Sequence, residues 1–170
     1  MPRHPRPSTL SPAVAGQAAA PPQDWLALDH QLCFALYAAS LAMTKVYKPL
    51  LAPLGLTYPQ YLVMLVLWQG DGLSVSALGE RLTLDSGTLT PLLKRLQGLG
   101  LLQRQRDATD ERRVLLRLSP AGRRLKAQAL VVPQAVACAT ACDLQQIGQL
   151  TAQLTALRQQ LSASLSPAAA

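Results

Sequence analysis

The sequence predicts a mainly α-helical fold that carries one small β-hairpin. Apolar residues recur at helical intervals through most of 24–165, and a single segment, 101–119, alternates apolar and charged residues about a polar tip. The 49% hydrophobic content includes only 4% aromatics, so the interior is built mostly from Leu, Ala and Val. At 170 residues the chain is long enough for one domain with a sizeable core.

Residues 1–22 hold six prolines among Ala, Ser and Gly and predict a disordered tail. A single domain follows over 23–165, and "SPAAA", 166–170, is a frayed end. Between 24 and 50, Leu32, Leu36, Met43, Tyr47 and Leu50 mark one helix, with Asp24 as its candidate cap. Lys48 and Pro49, then residues 53–55, break it. A second helix begins near Tyr58 with Pro59 in its first turn. Its "QYLVMLVLWQ" is apolar nearly all round, which places it at the centre of the fold. "GDG", 70–72, ends it.

Two short helical patterns follow, at about 76–82 and 86–99, separated by "TLD". Leu78 and Leu82 of the first face the core, as do Leu89, Leu92, Leu93 and Leu96 of the second, while Lys94 and Arg95 stay outside. The pair reads as a helix-turn-helix. Pro91 removes a hydrogen bond if the second helix starts at Ser86, and is harmless if it starts nearer Thr88. Both starts remain open. "LLQRQRDATDERRVLLRLS" is then a hairpin with arginines on its exposed face. A hairpin directly after a helix-turn-helix is a wing, so the lobe at about 56–119 is a winged helix-turn-helix.

One more helix runs from about Pro120 into the 130s. The last shows Leu144, Ile147, Leu150, Leu154, Leu157 and Leu161 at intervals of three and four. Apolar stripes outside the winged lobe need a partner surface. Packing against a second copy makes 24–50 and 120–165 dimerisation helices; a seam within one chain is the alternative.

The net charge of +7 is confined to one block. Positions 81–126 hold eleven Lys and Arg against four acids, which accounts for the whole excess. Such a block suits a polyanion, in first place double-stranded DNA. Ser86, Thr88 and Thr90 would meet base edges or phosphates from the start of the second short helix. Lys94 and Arg95 would neutralise phosphate or reach bases. Arg112 and Arg113 stand at the wing tip, shaped for a minor groove, and Asp110 is placed to pair with Arg112. A two-fold dimer matches a palindromic operator.

No apolar run reaches the roughly 20 residues that span a bilayer. The proline-broken N-terminal stretch lacks a signal-type apolar segment. A cytoplasmic protein without membrane partner or cofactor is expected, and its three cysteines read as thiols with chemistry rather than a disulfide framework.

The wing stretch "DERRVLLRLSPAG" after a helix-turn-helix resembles the signature of MarR-type transcriptional regulators. "QLCFALYAAS", "LGLTYPQYLVMLVLW" and "LTLDSGTLTPLLKRL" resemble the organic-hydroperoxide-sensing branch of that family, the OhrR proteins. The similarity spans about 24–165. It implies a homodimeric repressor, not an enzyme, that silences a peroxidase gene and leaves its operator when organic hydroperoxides oxidise one cysteine. The resemblance assigns that role to Cys33, places Tyr47 and Tyr58 as hydrogen-bond donors to its sulfur, and makes Tyr37 a further wall. In the two-cysteine subgroup a resolving thiol lies in a C-terminal helix, where Cys138 is the match and Cys142 stands one turn away. The sequence departs from the pattern in its long Pro-rich tail and in the alanine-rich helix around Cys138.

An ordinary thiol, with a pKa of about 8.5, is only a few per cent thiolate at neutral pH, so a trigger cysteine needs help as an anion. A helix starting near Asp24 leaves Cys33 more than two turns in, beyond the reach of its dipole. Phenolic donors are the better source. Tyr47 lies about 21 Å farther along one straight helix at 1.5 Å per residue, so it comes from a sharp bend or from a second copy. Leu32, Phe34, Leu36 and Met43 supply an apolar surround suited to organic peroxides. Other readings of these residues are an inert core cysteine, a zinc set of His30, Cys33, Cys138 and Cys142, a thiol peroxidase, and a pocket for a non-covalent phenolic ligand.

Overall fold

A computed structural model describes residues 24–107, 110 and 113–165. The Pro-rich tail, the frayed end, and Arg112 with its expected partnership to Asp110 all lie outside the described residues. The described residues divide into two compact units at the Ala38–Ala39 boundary.

The helix α1 (Leu32–Leu51) begins in the first unit, well after the expected position, and continues into the second. Asp24 does not cap it. Its carboxylate accepts from the Leu26 amide at 3.0 Å, and its carbonyl pairs with the His30 ring at 3.1 Å, beside a 3-10 turn over Leu28–His30 that the Gln31 amide closes on the Leu28 carbonyl. The Gln31 side chain donates to the Trp25 carbonyl, and its own carbonyl accepts the first helical bond, from Ala35. These local bonds hold 24–31 as a turn, so Cys33 becomes the second residue of α1.

The second unit is organised round α2 (Tyr58–Gln69). Thr57 caps it in a reciprocal box, with Gln60 Oε1 accepting from the Thr57 amide at 2.9 Å. Its Tyr61, Val63, Met64, Val66 and Leu67 are buried. Against them pack α3 (Val75–Leu82) through Leu78, and α4 (Ser86–Gly98) through Leu89, Leu93 and Leu96. Leu82 and Leu92, also assigned to the core, are half-buried.

The hairpin consists of β2 (Leu102–Arg106) and β3 (Val114–Leu118), antiparallel, with Arg104 opposite Leu116. A third strand, β1 (Leu73–Ser74), pairs with the other edge of β3, giving the order β1-β3-β2. Two residues are too few to show alternation, so the sequence reads β1 only as the approach to α3.

Where one helix was expected from Pro120, there are two, α5 (Pro120–Ala129) and α6 (Val131–Thr140), followed by α7 (Leu144–Leu165). Pro133 explains the break. In a continuous helix it would deprive the Ala129 carbonyl of its donor, whereas a restart at Val131 sets it in a first turn. α7 buries no residue, and Leu150, Leu154 and Leu161 on its stripe are exposed, as are Leu130 and Val131.

The root of the wing is tied by Asp71. Its carboxylate accepts from the Leu118 amide of β3 at 2.8 Å and from the Arg123 guanidinium of α5 at 2.7 Å. The Trp68 indole donates to the Gly122 carbonyl at 2.9 Å, and the Lys126 ammonium donates to the Trp68 carbonyl at 3.0 Å. Gly122 sits so close to the preceding loop that a Cβ there would lie 2.1 Å from the Leu101 carbonyl oxygen.

Candidate nucleic-acid interface and thiol sites

The helix-turn-helix is built from two capped helices and a tight turn. Ser74 caps α3, accepting from the Ala77 amide at 3.1 Å. The turn contains Thr83 in the left-handed region at φ 56. At Gly79 a Cβ would meet the Leu84 carbonyl oxygen at 2.8 Å, so the turn closes only over a bare backbone.

Asp85 caps α4. One carboxylate oxygen accepts from the Thr88 amide at 2.9 Å and the other from the Thr88 hydroxyl at 2.8 Å. The bonds from Thr88, backbone first and side chain second, hold the Asp85 carboxyl below the usual carboxylate range. This cap settles the start of α4 at Ser86 rather than Thr88. Pro91 is therefore interior, at the loss of one bond to the Gly87 carbonyl, while buried Leu89, Leu93 and Leu96 hold the helix on the core.

Ser86, Thr88, Thr90, Lys94 and Arg95 are all exposed on α4. The Thr90 hydroxyl donates to the Ser86 carbonyl at 2.7 Å. On the wing, the exposed Arg113 lies 4.0 Å from Asp107, and its amide donates to the Asp110 carbonyl at 2.9 Å, which narrows the tip. Arg104 donates to Gln97 at 2.8 Å, bracing the wing against α4. An open groove of about 800 Å³ runs between the turn and the wing, lined by Ser74, Ser76, Thr83, Asp85, Ser86 and Arg113. Val75, Leu84, Leu89, Val114 and the acid Glu80 also line it, so it is the exposed cations Lys94, Arg95 and Arg113, rather than the groove, that suit a nucleic-acid backbone. Asp71 lies in "GDG", which periodicity marks only as a helix end. A single acid between two glycines, facing a basic wing, was the available signal.

The thiols of Cys33, Cys138 and Cys142 are free. Cys33 is exposed in the first unit, among exposed Leu32, Phe34 and Tyr37 and half-buried Leu36. In the second unit, Cys138 is exposed on α6. Cys142 is half-buried just past the left-handed Ala141, and its thiol donates to the Thr140 carbonyl at 3.3 Å. The Tyr47 and Tyr58 rings lie 4.5 Å apart, and Tyr61 stands 6.0 Å from Tyr47. Burial pushes the Tyr47 phenol above its ordinary pKa, and the neighbouring Tyr58 and Tyr61 add to this. It therefore stays a protonated donor through the neutral range.

Among the described residues no three His, Cys, Asp or Glu side chains gather as a metal set, and the His30 ring is engaged with the Asp24 carbonyl. No single described helix is long and apolar enough to cross a membrane.

Residues 45–129 match the family described as transcriptional regulator SarA/Rot. The chain is 54% identical over 110 residues to the organic hydroperoxide resistance transcriptional regulator of Bacillus subtilis, which is 65% of this chain and 75% of that protein. It is 51% identical over 136 residues to the HTH-type transcriptional regulator TtmR of Methylorubrum extorquens, 80% of this chain and 70% of that one. Reduced AbfR bound to DNA shares the fold at a TM-score of 0.69 and 30% identity, over 82% of this chain and 96% of that one. Disulfide-formed AbfR aligns at a TM-score of 0.55 and 32% identity, over 81% and 92%. With its capped helix-turn-helix and wing, the chain belongs to the MarR family of transcriptional regulators, in the OhrR branch, and is a winged-helix DNA-binding regulator rather than an enzyme.

Proposed function

We propose that this protein is a homodimeric repressor in the cytoplasm that leaves its operator when organic hydroperoxides oxidise Cys33, freeing a peroxidase gene for expression. The carrying observation is Cys33 itself. It is a free, exposed thiol at the second residue of α1, in a first turn that holds no acidic residue, flanked by exposed Leu32, Phe34 and Tyr37. The N–H groups of a first helical turn have no intrahelical acceptor and favour an anion there. The dipole thus joins the phenols of Tyr47 and Tyr58 supplied by a second copy as a source of help, and Tyr37 closes the apolar side. The names of the relatives support the inducer: one is an organic hydroperoxide resistance regulator, and AbfR has been solved both reduced on DNA and disulfide-formed.

The chemistry runs in two steps. The Cys33 thiolate attacks the terminal oxygen of the hydroperoxide, the O–O bond breaks, and the alcohol departs after taking up a proton. Sulfur is oxidised by two electrons to a sulfenic acid as the peroxide is reduced. A second thiol then attacks that sulfur, forming the disulfide and releasing water. Cys138 is the resolving thiol in this reading, because it is exposed, whereas the Cys142 hydrogen is already engaged by Thr140.

Repression rests on α4 in the major groove, with Ser86, Thr88, Thr90, Lys94 and Arg95 facing DNA. Arg112 and Arg113 of the wing enter the minor groove. A second copy covers the exposed stripes of α1, α6 and α7, giving a two-fold dimer on a palindromic site. A gel-shift titration with cumene hydroperoxide, with and without dithiothreitol, followed by mass mapping of sulfur bonds, tests the reading. Release with Cys33 bonded to Cys138, reversed by dithiothreitol, is expected. Release with every sulfur unmodified would end it in favour of a non-covalent ligand.

A further inference from the structure

The leading half of α4 has an unusual chemical face. Thr88 and Thr90 are exposed, but the structure commits both hydroxyl protons within the protein, to Asp85 Oδ2 at 2.8 Å and to the Ser86 carbonyl at 2.7 Å. Each side chain thus turns outward a methyl group and acceptor lone pairs, not a donor. Pro91, one turn beyond Thr88 and also exposed, has a hydrocarbon ring and no N–H. Between them Gly87 has no side chain, and a Cβ there would meet the Asp85 carboxylate at 2.9 Å, so the cap itself keeps this position bare. The long donors on the exposed side, Lys94 and Arg95, come only in the following turns.

In the major groove only thymine presents an apolar group, its C5-methyl, and its partner adenine presents an amino donor beside it. We infer that Thr88, Thr90 and Pro91 read A·T pairs, chiefly through thymine methyls, while Lys94 and Arg95 serve phosphates or the outer bases. This rests on α4 being the element that enters the major groove. Sequence choice in the centre of each half-site then comes from methyl-on-methyl packing against hydroxyls that Asp85 and Ser86 hold in one rotamer. An arginine or asparagine fork is not needed there.

The test uses the full-length protein and a duplex selected by it from a randomised pool. Each selected thymine is replaced by deoxyuridine, which removes only the methyl, and Thr88→Ser and Thr90→Ser remove only the protein methyl while retaining the hydroxyl bonds. Loss of one methyl contact is expected to weaken binding roughly fourfold, the worth of a buried methylene-sized group. At the matched position, deoxyuridine should cost the serine variant nothing further. Deoxyuridine tolerated at every position, selected half-sites without thymine, or losses that simply multiply in each variant would overturn the inference. Lys94→Ala and Arg95→Ala tell the two failures apart. If both leave affinity intact, α4 is not in the groove; if they weaken binding while deoxyuridine does not, only the methyl readout falls.

Discussion

The ring of Tyr47, near the end of α1, stands 4.5 Å from the ring of Tyr58, the first residue of α2, tilted by 42°. The family resemblance implies that both phenols serve one sulfur; the fold sets the two rings side by side. Tyr61 and, beyond it, Trp68 at 6.2 Å extend the cluster into the core, so the pair is anchored at one end. Tyr47→Phe is expected to slow oxidation of Cys33 by cumene hydroperoxide by about tenfold, roughly the weight of one hydrogen bond to a charged group. Operator affinity of the reduced protein should not change. Stopped-flow oxidation beside a gel shift separates the two effects.

The same burial gives a pH signature. Tyr47 and Tyr61 titrate above their ordinary value of 10.0, from desolvation first and neighbouring phenols second. Between that value and their folded pKa the unfolded chain releases protons that the folded one keeps. The contribution is thus complete below pH 10.0 and disappears as pH rises through the folded values. Urea midpoints should fall on the alkaline side, and Tyr47→Phe should flatten that fall.

At the other end of the scale, Asp85 is held low by Thr88, so its support for α4 is complete above the ordinary carboxylate value of 3.8 and is lost as pH drops through the folded pKa. Asp85→Ala removes an acceptor from both the Thr88 amide and its hydroxyl. Weaker operator binding is expected, with a fraying of α4 visible in amide exchange at residues 86–90. Unchanged exchange there would remove the cap from the account.

Wing substitutions should read out as charge. Arg112→Ala is expected to weaken operator binding by about tenfold or more, and Arg113→Ala to reduce the slope of log affinity against log salt by about one. Arg113 is 56% exposed and 4.0 Å from Asp107, so it remains available to phosphate. Equal slopes for wild type and variant would argue against a wing on DNA.

Two glycines are set by close approach rather than by φ. Gly122→Ala drives a Cβ to 2.1 Å from the Leu101 carbonyl, and Gly79→Ala to 2.8 Å from that of Leu84. Overpacking of this kind costs about 1–3 kcal/mol, and Gly122→Ala should show the larger loss in urea denaturation.

Among the thiols, Cys33→Ser should repress yet ignore cumene hydroperoxide. Cys138→Ser should stop at the sulfenic acid, trapped by dimedone, while Cys142→Ser behaves as wild type. A dimedone adduct confined to Cys142→Ser would exchange the two roles.

How far the sequence was legible depends on where the deciding interactions lie. The core leucines of α3 and α4 and the alternation of β2 and β3 are periodic signals, and they are recovered with small shifts at the ends. The late start of α1 was not, because Asp24 and Gln31 hold a turn through bonds that periodicity does not register. Pro133 marked the break after α5, yet an alanine-rich stretch around it hid the restart. Thr88 and Thr90 were visible as exposed hydroxyls, but only the structure shows where their protons go.

The knot at Asp71 carries a mechanical meaning for signalling. One carboxylate fastens the strand leading out of the hairpin and the helix leaving toward the C-terminal bundle. The hairpin root and that helix are therefore held as one stiff block, and under the proposed function an inducing signal would shift such blocks whole instead of bending them. Asp71→Asn would soften the block, and weaker operator binding by the untreated protein in a gel shift is expected.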